Sequence, residues 1–262
     1  MPRPLEPLLL RIRAESNDLR LHSIALDSWN FMGYLGSRRF LIDKSVLDLS
    51  VGQIHLRGSA SKHDENMFAR IEMGLDSLDI DQIMRSFDPN ANPVVGKVSG
   101  SVTVVVLEEI ERITGSANLQ LADSDLIGNT VISGLYNVLH LDVAPGKPTG
   151  KGRIRLQREG PRLVISDFNY QNRGTNIRGY GSAKDLSSGT ASPIEGYAVA
   201  STRPLQGLPL PGVGELGRML QALQGDIAAV RIEGTIAEPQ VKPVPLESIT
   251  GDIGRLLWGD SQ

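Results

Sequence analysis

The sequence predicts a mostly β protein: a curved antiparallel sheet, forming a groove or trough, with a few short amphipathic helices at its ends and edge. Three observations lead there. Short segments that alternate apolar and polar residues recur along the whole chain, as strands with one buried face do. Turn-forming residues separate them, and glycine alone supplies 28 of the 262 residues. Apolar residues at helical spacing occur in only a few short stretches.

Taken in order, Leu8–Arg13 and Leu19–Leu26 alternate as strands, with Ser16-Asn17-Asp18 as the turn between them. Phe40–Leu49 and Gln53–Ser59 form the next pair, joined through Gly52, and Met67–Leu75 continues the meander. The period then changes. Ile80, Ile83, Met84 and Phe87 fall on one helical face, Asp79 is placed to cap the start, and Asp88-Pro89 stops the helix. Beyond the Asn90–Pro93 loop, KVSGSVTVVV aligns Val102, Val104 and Val106, and ITGSANLQL aligns Ala117, Leu119 and Leu121.

One local phrase recurs in Val98–Val102, Ile113–Ala117 and Ile232–Ile236: an apolar residue, a polar one, Gly, Ser or Thr, and again a small or apolar residue. Glycine weakens a strand unless a bend or a close backbone approach is wanted, so these positions are expected to curve the sheet. Val131, Leu135, Val138 and Leu139 suit a second helix capped by Asn129 or Thr130, with Gly134 its weak point. Gly152–Arg158, Arg162–Tyr170 and Asn176–Ser182 read as a three-strand meander. In it Ile154 and Leu156 alternate with Arg153 and Arg155, and Leu163 and Ile165 repeat the pattern after Gly160-Pro161. Ile194–Ser201 is a further strand.

The stretch Pro204–Leu246 packs a proline loop, a helix and a strand pair together. Val213, Leu216, Leu220 and Leu223 share a helical face that Gly225 ends, and from Ala228 the period becomes two, with Val230 and Ile232 on one side. Gly212, Gly214 and Gly217 match a dinucleotide-binding glycine pattern, but no strand leads into them, so they are read as packing glycines. Leu246, Ile249, Ile253, Leu256 and Leu257 close the chain as an amphipathic helix.

Composition narrows the chemistry. Lys and Arg total 27 against 30 Asp and Glu, giving a net charge of -3, which provides no basic field for nucleic acid. Cysteine is absent, which removes disulfides and thiolate chemistry together. His22, His55, His63 and His140 fall on separate elements without metal-ligand spacing, and neither a nucleophile elbow nor a phosphate loop is present. No apolar run approaches the roughly 20 residues of a membrane-spanning helix. Nothing in the pattern points to an enzyme or to a cofactor.

Three sequence phrases do carry a likeness. LPLPGVGELGRMLQALQGDIAAVRIEGTIAEPQVKPVPL, with LDSLDIDQIMRSF and VSGSVTV upstream, resembles the C-terminal region of AsmA-like proteins, a family of bridge-like, repeating β-groove lipid-transport proteins. The likeness extends from Leu75 to Leu257, which divides the chain into residues 1–74, strands continuing the sheet, and 75–262, the AsmA-like part. It implies a non-enzymatic module in the periplasm or cell envelope, with phospholipid and the inner or outer membrane surface as partners. The anchor and long groove usual in that family are missing from this chain, which leaves a C-terminal fragment, a misplaced start or a stand-alone descendant as its origin.

The lipid-contacting positions expected on this basis are Val102, Val104, Leu119, Leu121, Ile154, Leu156, Leu163, Ile165, Val230 and Ile232, with Arg153 and Arg155 as headgroup contacts. The same apolar residues also suit a closed sandwich or barrel, since alternation reports burial and not what does the burying. A scaffold for outer-membrane proteins, acting through strand edges, is the alternative from another class.

Overall fold

A computed structural model describes residues 10–21, 24–63, 66–87, 89, 93–107, 109–126, 130–138, 149–202 and 227–245. The chain is mostly β, as its alternation predicts. Thirteen strands hydrogen-bond in sequence order in an antiparallel sheet: β1 (Leu10–Leu21), β2 (Ile24–Leu35), β3 (Arg39–Leu49), β4 (Gly52–His63), β5 (Asn66–Asp79), β6 (Val95–Leu107), β7 (Glu109–Asp125), β8 (Gly150–Glu159), β9 (Arg162–Asn172), β10 (Thr175–Ala183), β11 (Ile194–Ser201), β12 (Ile227–Gly234) and β13 (Pro239–Val244). The described helices are short: α1 (Ile80–Phe87), α2 (Thr130–Val138) and a 3₁₀ segment, Leu186–Ala191. The expected helix after Gly212 and the C-terminal helix from Leu246 lie outside the described residues.

Two compact units divide the chain. The first comprises residues 1–91, 97–119 and 157–161, and the second residues 92–96, 120–156 and 162–262. Positions 74 and 75 lie inside β5.

In the first unit the strands run longer than their alternating segments. Ser16-Asn17-Asp18 is no turn: β1 continues through it, with Ser16 opposite Trp29 and Asn17 opposite Ser28, and the reversal comes between Leu21 and Ile24. Ladder hydrogen bonds to β2 outweigh the turn preference of three polar residues, and Asn17 stays exposed. Three bulges shift the side-chain phase: in β2 between Leu26 and Ser28, in β3 between Ile42 and Ser45, and in β5 between Leu75 and Leu78. One extra residue on one strand reverses which face the next side chain meets. Apolar residues on either side of each bulge therefore stay on a single face.

Helix α1 follows β5 as the spacing predicts. The backbone N–H of Gln82 donates to Asp79 Oδ1 at 3.0 Å, which satisfies one of the free amides of the first turn. Arg85 and Asp81 pair one turn apart at 2.8 Å. Beneath the helix, Ile24, Leu26, Leu49, Val51 and Leu78 form a buried cluster that Ile83 packs against. Asp79→Ala is expected to cost about 1 kcal/mol through the lost cap, read as a shift of the urea unfolding midpoint.

In the second unit α2 packs on β12 and β13. Gly134 is its contact point, since a Cβ there would lie 3.0 Å from Val241 Cγ2. A residue that weakens the helix by propensity thus lets helix and strand approach. Tyr170, Ile177, Val199, Ala200 and Val230 are fully buried, and Ala198 and Ala229 nearly so. Because Val230 and Ala229 point to opposite sides of β12, both faces of that strand are covered here.

The Tyr170 hydroxyl donates to the Ser124 carbonyl at 3.1 Å and accepts from the Leu126 N–H at 3.4 Å. Burial raises the pKa of Tyr170, and of Tyr136 on α2, above the ordinary 10.0. A phenol whose folded pKa exceeds its unfolded one gives its full stabilisation below the unfolded value, and loses it as pH rises through the folded value. Stability should therefore fall above about pH 10, and Tyr170→Phe should flatten that fall while removing a buried hydrogen bond worth about 1 kcal/mol. Urea midpoints across alkaline pH check this.

Candidate functional site

The register of the first unit arranges its apolar residues in rows across the strands. One row reads Ile12, Gly33, Ile42, Gly58, Ile71, Val104, and the next reads Ala14, Phe31, Ser45, Leu56, Met73, Val102. A third, Ser16, Trp29, Leu47, Ile54, Leu75, Gly100, runs toward α1. Gly115 lies against Val104, and Gly100 against Asn118 and Leu119, which brings Ala117 and Leu119 of β7 onto the same face. Gly100 has φ +148 and a Cβ there would meet the Asn118 carbonyl, so the recurring glycine phrase does mark a close approach at this position.

Cover is uneven along these strands. At one strand end α1 seals the face over Leu26, Leu49 and Leu78. Away from α1, Ile12, Phe31, Phe40, Ile42, Leu56, Met73, Val102, Val104 and Val106 are only half-buried, and Ile71 is 37% exposed. Their partial burial comes from neighbours on the same face. Phe31, for instance, stacks with Phe40 at 6.2 Å between ring centroids.

The opposite face carries most of the charges, several of them paired, beside the apolar Met32, Leu41, Val46 and Val105. Arg13 meets Glu15 at 2.5 Å and Arg70 meets Glu72 at 2.8 Å. Asp48 accepts hydrogen bonds from Ser28 and Gln53, which hold its pKa below the ordinary carboxylate value. Among the described residues, the first unit thus has one face that carries most of the charges and one apolar face that is closed at the α1 end and uncovered elsewhere.

Not all the expected contact positions are alike. Val102, Val104 and Leu119, in the first unit, are half-buried on the uncovered face. In the second unit Ile154, Leu156, Leu163, Ile165 and Ile232 are half-buried, whereas Leu121 is 7% exposed and Val230 is inaccessible. In this conformation Leu121 presents little surface to a ligand and Val230 none. Arg153 and Arg155 point to the other side of β8 from Ile154 and Leu156, and Asp167 lies 3.1 Å and 4.0 Å from them. Their charge is shared with a neighbouring carboxylate.

Among the described residues no group of three or more His, Asp or Glu side chains is placed to hold a metal ion. Nor is any helix among them long and apolar enough to cross a membrane. Phe40–Leu49, Gln53–Ser59 and Met67–Leu75 read as strands from the sequence, yet no contact position is expected there on β1 to β5, where the structure adds Phe31, Phe40, Leu56, Ile71 and Met73 to the apolar face. Their signal is present in the sequence once the bulges are allowed for.

Comparison with family models, with curated proteins and with solved structures finds no match to this chain. The likeness to the AsmA-like C-terminal region therefore rests on the quoted sequence phrases.

Proposed function

We propose that the protein is a non-enzymatic lipid-binding module that shelters phospholipid acyl chains against the apolar face of its sheet, working in a bacterial envelope as a lipid-transfer component. One observation carries this reading: among the described residues, an apolar face of the first unit several strands wide has no second layer over it away from α1, while most of the charges lie on the other face. Exposed apolar area costs free energy at roughly 25 cal/mol per Å², and patches of this kind mark binding surfaces. An acyl chain meets the need of such a face without requiring hydrogen bonds. The AsmA-like phrases point the same way and supply the envelope, which nothing else supports.

A fluorescent phospholipid, added below its aggregation concentration, should bind saturably to the purified protein. No saturable binding at any concentration of protein would end the lipid reading. The second reading, a scaffold acting through strand edges, draws on β1, which pairs with β2 on one side across twelve residues, Leu10–Leu21. It requires a client polypeptide to crosslink to β1 while lipid binding is absent.

A further inference from the structure

At the strand end of the first unit opposite α1, large apolar side chains are exposed on both faces of the sheet. Leu10, Leu35 and Met67 lie on the apolar face, 55%, 43% and 49% exposed. Phe68 and Leu107 pair across β5 and β6 on the other face, where polar residues prevail, and are 40% and 41% exposed. A groove lining accounts for the first three and not for the last two, which look away from it.

Cations accompany this rim. The β2–β3 hairpin closes through a Gly36 N–H to Arg39 carbonyl hydrogen bond of 2.6 Å and presents Arg38, while the Lys62 N–H donates to the Arg38 carbonyl at 2.9 Å. Arg38 and Lys62 are exposed and Arg39 half-buried. A shallow cleft beside β1 adds Arg11, Arg13 and Lys44, with Glu15 the carboxylate among them. In the sequence Asp64-Glu65 and Glu108-Glu109 follow β4 and β6, so the basic part of the rim belongs to β1–β4.

We propose that this rim docks on the surface of a bilayer containing anionic phospholipid, with Phe68 and Leu107 entering the interfacial layer and Arg38, Arg39 and Lys62 meeting headgroup phosphates. The inference rests on the lipid reading of the apolar face and says where that face meets its source. Apolar side chains flanked by Arg and Lys suit the boundary between acyl chains and headgroups, because the long basic side chains reach the phosphates while the apolar ones stay below. The sealed α1 end leaves this end as the one through which a chain is passed.

Flotation with vesicles of phosphatidylcholine alone, and of an equal mixture with phosphatidylglycerol, tests it. The wild type should float more strongly with the mixture, less so in high salt. Arg38→Glu/Arg39→Glu should weaken binding to the mixture by about tenfold or more, and Phe68→Gln/Leu107→Gln should weaken it on both vesicle types. Both variants should still take up monomeric fluorescent phospholipid as the wild type does. Unchanged flotation of the variants, or a wild type that loads monomeric lipid yet ignores vesicles, overturns the docking. So does a dimer in sedimentation that Phe68→Gln/Leu107→Gln dissolves, since a second copy would then cover the rim. Failure to load monomeric lipid refutes the lipid reading instead, and is seen separately from flotation.

Discussion

Val230→Asp is expected to abolish cooperative folding of the second unit. Val230 is inaccessible to water, and its neighbours Ala198 on β11 and Ala229 on β12 are 3% exposed. An aspartate there has no water and no cation facing it in the register. Arg231, the adjacent charge, points to the other side of the strand and pairs with Glu233 at 2.8 Å. Leaving a carboxylate buried and unpaired costs several kcal/mol, and protonating it still strands a polar group. We expect a loss of at least about 4 kcal/mol, seen in urea unfolding as loss of the transition or as insoluble protein. A variant that stays folded and has lost lipid binding would show Val230 to be a groove residue after all.

Ile71→Asp is expected to do the opposite: to leave the fold standing and remove lipid binding. Ile71 is 37% exposed in the row with Val104, Gly58 and Ile42, away from the α1 seal. A carboxylate at that exposure keeps water, so the stability change should stay within about 1–2 kcal/mol. Against an acyl chain the same carboxylate must be desolvated or must exclude the chain. Binding of a fluorescent phospholipid should then fall by about tenfold or more. The two substitutions introduce the same charge on one sheet, and only burial separates their outcomes.

How far the sequence revealed this arrangement depends on where the bulges fall. In the pairings from β9 to β13 a bulge falls only in β9, between Ile165 and Phe168, and Ile194–Ser201 matches its strand residue for residue. In β2 the phase slips at the bulge before Ser28: Ile24 and Leu26 share a face, then Trp29, Phe31, Gly33 and Leu35 share that same face. Read without the slip, ALDSWNFMGYL loses its period after Leu26, which hides half of β2 and all of its contribution to the uncovered face. Asp79 and Ile83 were legible because a cap and a helical stripe are local signals.

Cover is not local. Val104 and Val230 have the same alternating surroundings in sequence, yet one lies half-buried on an uncovered face and the other inside a core. The difference comes from which elements fold over each strand, and that is decided by residues far away along the chain. The same holds for Arg153 and Arg155, whose neighbour Asp167 comes from the next strand.

The central claim is that the uncovered face of the first unit holds acyl chains. The most direct measurement is solvent extraction of protein purified without detergent, with the extract analysed for phospholipid by mass spectrometry and Ile71→Asp carried through in parallel. The account predicts phospholipid in reproducible proportion to the wild-type protein and a marked loss from the variant. Extracts free of phospholipid, or equally rich from both proteins, would contradict it.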